Sequence, residues 1–269
     1  MLCNKRILMI LMIFIVLAFS ISSVSASSLF VNESWTNEDI QNALDSDINI
    51  DILYFNSTSL GGIYSGIDLF IGRTMSIIGD VGVVFDGSIG DEPTMNVFTI
   101  LGDNIIIKGF TILNYNMGVT ASDLSNISII NNTFDNLDTA LEFNNIKGLN
   151  IENNTISNIN DGTIFVRESE NVNIYSNNIS GANFGIYLSG LNNTKVKGNN
   201  ANNVESDAIY TENTENTAIE ENNLDNIRGS GIYTSNSKNL EVKKNKITNT
   251  DGDGIVIDTT SNDDSDGIA

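Results

Sequence analysis

Gly185-Ile186-Tyr187-Leu188 reads as a short strand, with Ile186 and Leu188 on one side. A turn follows from Ser189 to Asn193, and Thr194-Lys195-Val196-Lys197 alternates again. Asn199 and Asn200 mark a sharp corner, Ala201 sits in a third short strand, and a last turn runs through Asn203 to Asp207. The pattern then restarts at Ala208-Ile209-Tyr210. Alternation of period two inside each segment argues for strands and against helical repeats. Three short strands in a turn of 22 or 23 residues describe one coil of a parallel β-helix.

The same step runs along much of the chain. One inward column is Val119, Leu141, Ile164, Ile186, Ile209, Ile232 and Ile255. A second is Ile112, Phe134, Ile156, Ile179, Ala201, Leu224 and Ile247. A third holds a single residue type: Asn132, Asn154, Asn177, Asn199, Asn222 and Asn245. Asn accepts the left-handed backbone of a tight corner, and stacked Asn side chains can hydrogen-bond from turn to turn. A further column, Asn114, Asn136, Asn158, Asn203, Asn226 and Asn249, has Gly181 in its one gap, and Gly accepts the same backbone. These columns are structural.

Upstream, the repeats between residues 48 and 107 are irregular. Ile52–Phe55, Ile67–Ile71, Met75–Ile78, Val83–Phe85, Val97–Ile100 and Ile105–Ile107 still read as strands. Thr36-Asn37-Glu38-Asp39 resembles a capping box, so a short helix bearing Ile40, Ala43 and Leu44, with Trp35 nearby, is expected to cover the first open turn. The expected organisation is a signal peptide over 1–26, an N-terminal cap over 27–47, a β-helix of about ten turns over 48–260 and an acidic tail over 261–269. The signal reading rests on Lys5 and Arg6, the apolar run Ile7 to Ala18, and Val24-Ser25-Ala26. An uncleaved anchor is the rival, but the run is short for a span.

Cys3 leaves with the signal, and the remaining chain has no Cys and no His. Disulfides, thiolate and imidazole chemistry and His metal sites are thereby excluded. Loss of Lys5 and Arg6 takes the formal charge from -21 to -23. That balance argues against nucleic acid and anionic membranes as partners, and no membrane insertion is expected after cleavage. It suits a secreted protein, extracellular or at the cell surface.

Repeats such as Asn153-Asn154-Thr155-Ile156-Ser157-Asn158 resemble the right-handed parallel β-helix repeats of the pectate-lyase-like superfamily, over roughly residues 48 to 260. The scaffold serves lyases, hydrolases, epimerases, tailspikes and adhesins. Signal, Asn- and Ile-rich repeats and acidity together look most like the adhesin-like surface proteins of methanogenic archaea. The lyases of the superfamily imply calcium held by acidic residues and an Arg base. Only Arg73, Arg167 and Arg228 remain after the signal, none in an Arg-x-Pro-x-x-Arg context. Arg167 is the one catalytic candidate. The glycosidase motifs need His or Arg-Ile-Lys, which are absent, and the sole Asp pair, Asp263-Asp264, is terminal.

The residues following the first inward column are Thr120, Glu142, Phe165, Tyr187, Tyr210, Tyr233 and Val256, and alternation sends them outward. Phe165, Tyr187, Tyr210 and Tyr233 would form a strip about 15 Å long. Either the rings stack strand to strand, or they receive sugar rings with Glu142, Arg167, Asp207 and Glu212 beside them, or both. The favoured reading is a non-catalytic, adhesin-like protein that recognises an extracellular polysaccharide or a glycan on another cell. A polysaccharide lyase or hydrolase and a purely structural spacer are the alternatives. No cofactor is expected. Asp251 and Asp253, in Asn249-Thr250-Asp251-Gly252-Asp253-Gly254, resemble part of a calcium loop, but Thr260 stands where its last Glu belongs. Asn262 to Gly267 has a similar spacing. Asn32 and Asn56 are the favoured glycosylation sites, being outside the regular repeats. An open edge after Ile255 and Ile257 favours end-to-end self-association or continuation in a longer parent chain.

Overall fold

The computed structural model describes residues 27–57, 61–88 and 96–258. The expected signal, the tail with Asp263-Asp264, the Asn262 to Gly267 segment and Thr260 lie outside these residues.

The inward columns align as the period requires. Val119 pairs with Leu141, Leu141 with Ile164, Ile164 with Ile186, Ile186 with Ile209, Ile209 with Ile232 and Ile232 with Ile255, each in a parallel ladder. One wall is a ten-stranded sheet that takes one strand from each turn, from Ser27–Val31 to Lys238–Lys243, so the solenoid has ten turns. The second sheet, of fifteen strands, supplies the other two sides. Three strands per turn were expected as separate pieces. In the central turns the third strand instead runs unbroken into the first strand of the next, as in Thr133–Asn144, Thr155–Arg167 and Asn178–Ser189. The two are separate again at Asn200–Val204 and Ile209–Glu212.

The interior is mainly aliphatic and aromatic, with Ile164, Val172, Ile174 and Ile179 inaccessible to solvent, and later turns bury Thr211, Thr217 and Thr234 among them. Each such side chain contributes about 1.5–3 kcal/mol by burial. In the first turns, where the period is irregular, the core is aromatic: Phe55, Tyr64, Phe85 and Phe110 pack edge to face or tilted at 4.9–5.6 Å.

The two asparagine columns do different work. Asn114, Asn136, Asn158, Asn203, Asn226 and Asn249 have φ of 52–61°, and Gly181 has 63°. This is the left-handed corner expected of them. The column from Asn132 to Asn245 is not left-handed. The left-handed residue is the one before it: Asn131, Asn153, Ser176, Gly198, Glu221 and Lys244. Asn154, Asn177 and Asn199 are buried and form a continuous ladder. Asn177 Nδ2 donates to Asn199 Oδ1 at 3.0 Å and to Ile151 O at 2.9 Å, while Asn177 Oδ1 accepts from the Asn154 backbone N–H at 2.9 Å. The side-chain amides therefore continue the backbone hydrogen bonding around a corner where a ladder would otherwise break.

The cap also follows its signals. The helix runs Asn37–Ser46 with Thr36 as N-cap and a reciprocal bond to Asp39, and Ile40 and Leu44 are buried. It does more than cover apolar surface. Gln41 Oε1 accepts from Phe70 N–H at 3.0 Å and its Nε2 donates to Phe70 O at 3.2 Å, so one side chain saturates the exposed edge of Leu69–Ile71. Arg73 ties the helix C-terminus down by donating to Leu44 O and Asp47 O, each at 2.9 Å. At the opposite end, Ile255 and Ile257 belong to the last described rung and are 47% and 37% exposed.

Candidate functional site

The outward column is continuous. Thr120 pairs with Glu142, Glu142 with Phe165, Phe165 with Tyr187, Tyr187 with Tyr210, Tyr210 with Tyr233 and Tyr233 with Val256. Phe165, Tyr187, Tyr210 and Tyr233 are half-buried. The three tyrosine rings are parallel to within 1°, with centroids 5.1 and 5.2 Å apart. That is an offset stack with the rings facing each other along the solenoid axis. Phe165 stands at 83° to Tyr187 with centroids 5.5 Å apart. The Arg167 guanidinium lies over Phe165 at 5.1 Å and over Tyr187 at 5.6 Å. The strand-to-strand stacking is thus realised, and the rim of the strip offers ring edges and hydroxyls more than free faces.

A second outward column runs beside the first, two residues further along each strand. Ser122 pairs with Asn144, Asn144 with Arg167, Arg167 with Ser189, Ser189 with Glu212, Glu212 with Ser235 and Ser235 with Asp258. It supplies the polar partners of the rings. Glu212 accepts from Tyr187 Oη at 2.8 Å, Ser189 Oγ at 2.9 Å and Tyr210 Oη at 3.1 Å. The Tyr187 hydroxyl, followed by the other donors, holds the Glu212 carboxyl below its ordinary value despite burial. Burial first, and then Glu212, push the Tyr187 phenol up and the Tyr210 phenol up to about 12. Arg167 donates to Glu142 Oε1 at 2.8 Å, and both groups are about a third exposed.

Of the expected site residues, the structure brings together Glu142, Phe165, Arg167, Tyr187, Tyr210, Tyr233 and Glu212. Asp207 is placed differently. It stands in the corner before Ile209–Glu212, at the other end of that strand from Glu212, and accepts from the Ser230 backbone N–H at 2.6 Å. Ser189 and Phe184 are added. Phe184 packs on Phe165 with centroids 6.4 Å apart. Ser189 was legible as the next outward position; Phe184 lies at a corner, where alternation gives no direction. Gly162 lies beneath this cluster, where a Cβ would displace the Phe165 ring from its present position.

The carboxylates of the two outward columns are spread along the solenoid axis. Glu142 and Glu212 stand three rungs apart, about 14 Å, beyond the roughly 5–9.5 Å of paired glycosidase carboxylates. Glu212 and Asp258 are two rungs apart, about 10 Å along the backbone, near the upper end of that range. A general acid needs a raised pKa, and that of Glu212 is lowered. Asp251 and Asp253 are exposed in the corner before Ile255–Asp258. Among the described residues no three His, Cys, Asp or Glu side chains converge as a cation site. Asn32 Oδ1 accepts from Ser34 N–H at 3.0 Å and Ser34 Oγ at 2.6 Å, and Asn56 is partly exposed.

A family model described as "Right handed beta helix region" matches residues 117–265. No curated protein matches the chain. Among solved structures, the enzymatically active domain of tailspike protein 2 of bacteriophage CBA120 is similar, with a TM-score of 0.52 at 13% identity over 81% of this chain and 40% of that one. PfbA, a surface adhesin of Streptococcus pneumoniae, gives 0.48 at 13% identity over 85% of this chain and 91% of that one. The catalytic domain of a GH87 α-1,3-glucanase gives 0.48 at 11% identity over 84% and 58%. The chain thus spans less than two thirds of the glucanase domain and of the tailspike. At these identities the likeness is one of fold, and the fold serves binding proteins and enzymes alike.

Proposed function

The chain belongs to the right-handed β-helix family, and from that premise we propose that it is an extracellular, adhesin-like protein that recognises carbohydrate without transforming it. The observation that carries this reading is the outward strip, where ordered hydroxyls, an amide and fixed charges line a row of half-buried rings. A rigid row of this kind recognises a hydroxylated polymer with little ordering cost. The state of the ionisable groups supports binding over catalysis. A lyase would need Arg167 free to take a proton, and it is held by Glu142. A hydrolase would need a protonated carboxyl, and Glu212 is filled by three donors.

The test is glycan-array binding of the purified protein beside a variant with Phe165, Tyr187, Tyr210 and Tyr233 all changed to Ala and shown to be folded by circular dichroism. Binding by the parent that is lost in the variant supports the strip as the site. Equal binding by both displaces the site elsewhere. Release of shortened or unsaturated products from a bound polysaccharide would make the protein an enzyme.

A further inference from the structure

The outward column does not begin at the residues the regular period reveals. The ladder pairs Phe70 with Thr99 and Thr99 with Thr120, one rung before Glu142. The face is therefore Phe70, Thr99, Thr120, Glu142, Phe165, Tyr187, Tyr210 and Tyr233, seven steps or about 34 Å long. Phe70 is 51% exposed, yet its backbone N–H and C=O are both held by Gln41. Leu101, 59% exposed, follows Ile71 on the next rung, and a groove lined by Gln41, Asp45, Ile48, Phe70, Arg73 and Leu101 lies between this end of the strip and the capping helix. Aromatic ends thus flank a middle of hydroxyl and amide groups, Thr99, Thr120, Ser122 and Asn144, beside the paired charges of Glu142 and Arg167.

We infer that the ligand is a neutral, unbranched polysaccharide lying along the solenoid axis from Phe70 to Tyr233, an inference that rests on the carbohydrate reading above. The charges select against the other classes. Among the described residues Arg167 is the one cation in the two outward columns between Phe70 and Asp258, and Glu142 engages it at 2.8 Å. Glu142, Glu212 and Asp258 leave the face net negative, on a chain of formal charge -21. A carboxylated or sulfated polymer meets repulsion there, and the two cations beside the face are already engaged, Arg167 by Glu142 and Arg73 by the carbonyls of Leu44 and Asp47. A cationic polymer would find Asp258 at one end, but along the rest of the face the Glu212 carboxylate already accepts three hydroxyl donors and Glu142 already holds a guanidinium. Hydroxyl and amide groups are what the middle of the face offers, and a single file of rungs matches an unbranched chain.

The experiment is calorimetric titration of the purified protein with soluble neutral glucans, mannans and galactans, beside polygalacturonate, alginate and deacetylated chitosan, at low and at physiological salt. The expected result is binding to a neutral chain, insensitive to salt, with affinity rising with chain length until the span is filled. Phe70→Ala, which alters an exposed side chain, should weaken a long chain about tenfold and leave short oligomers unaffected. Preference for a charged polymer, with affinity falling as salt rises, overturns the neutral assignment while the carbohydrate reading stands. Unchanged long-chain affinity in the Phe70 variant overturns the span. No binding to any polymer overturns both.

Discussion

Glu212 fixes the polar rim of the strip, because two phenols and one serine hydroxyl all donate to its carboxylate. This arrangement has a pH signature at both ends. The folded pKa of Glu212 lies below its ordinary 4.5, so its contribution to stability is present above that value and is lost as pH falls through the folded pKa. The Tyr210 phenol is raised to about 12, so its contribution is present below the ordinary 10.0 and is lost as pH rises through that window. Glu212→Gln should flatten part of the acid limb and bring the tyrosinate absorbance of Tyr210 in at lower pH, burial keeping the rest of its displacement. An unchanged alkaline titration would show that Glu212 has no part in it. The buried ladder gives a second residue-scale expectation. Asn177→Ala strands the Asn154 backbone N–H and removes the bonds to Ile151 O and Asn199. Its cost should be about 2–4 kcal/mol. Asn245→Ala, at the partly exposed end of the same ladder, should cost distinctly less. Equal losses in denaturant titrations would mean that the ladder does not act through burial.

At the scale of elements, the capping helix and the corners show which signals sequence carries. The helix start was written in four residues, Thr36 to Asp39, and both reciprocal bonds form, at 2.9 Å from Thr36 N–H and 3.1 Å from Asp39 N–H. Thr36→Ala should therefore cost about 1 kcal/mol and speed amide exchange at Phe70, whose partner Gln41 rides on the helix. Unaltered exchange there would uncouple the helix from the sheet edge. The role of Gln41 itself was not legible, since its partner is 29 positions away in sequence and no local pattern links them. The corners were half legible. Asn136 and Asn158 stand out because their column is nearly uniform. The corner before Asn132 is occupied in successive turns by Asn131, Asn153, Ser176, Gly198, Glu221 and Lys244, so its left-handed backbone leaves no common residue type to find. The uniform neighbour drew the assignment instead. The Phe70 end of the strip was hidden for another reason. The step from Leu69 to Phe98 is 29 residues, an insertion that breaks the period although the rung pairing is kept. The same irregularity concealed the short strand Ile63–Ser65.

For the whole molecule, register is the quantity that the sequence protects. The ladder pairs Asn178 with Asn200, Ile179 with Ala201 and Asn202 with Ser180, so residues 178–199 form one complete turn. Each turn rests only on its neighbours, and the stability of such a chain is close to a sum over turns and their interfaces. Deleting residues 178–199 should consequently leave a folded solenoid, with Asn200 in the place of Asn178 and Asn177 bonding Asn222 in place of Asn199. Its denaturant slope should fall by roughly a tenth, as one turn in ten is removed. Deleting one residue more, 178–200, puts Ala201 in that place. Every inward side chain of the following strands then turns outward, because side chains alternate with a period of two. That variant should lose cooperative unfolding from the junction onward, although it differs from the first by a single asparagine. Comparable melting of the two deletions would mean that the corners absorb a shifted residue, and that the columns of Ile and Asn do not set the register.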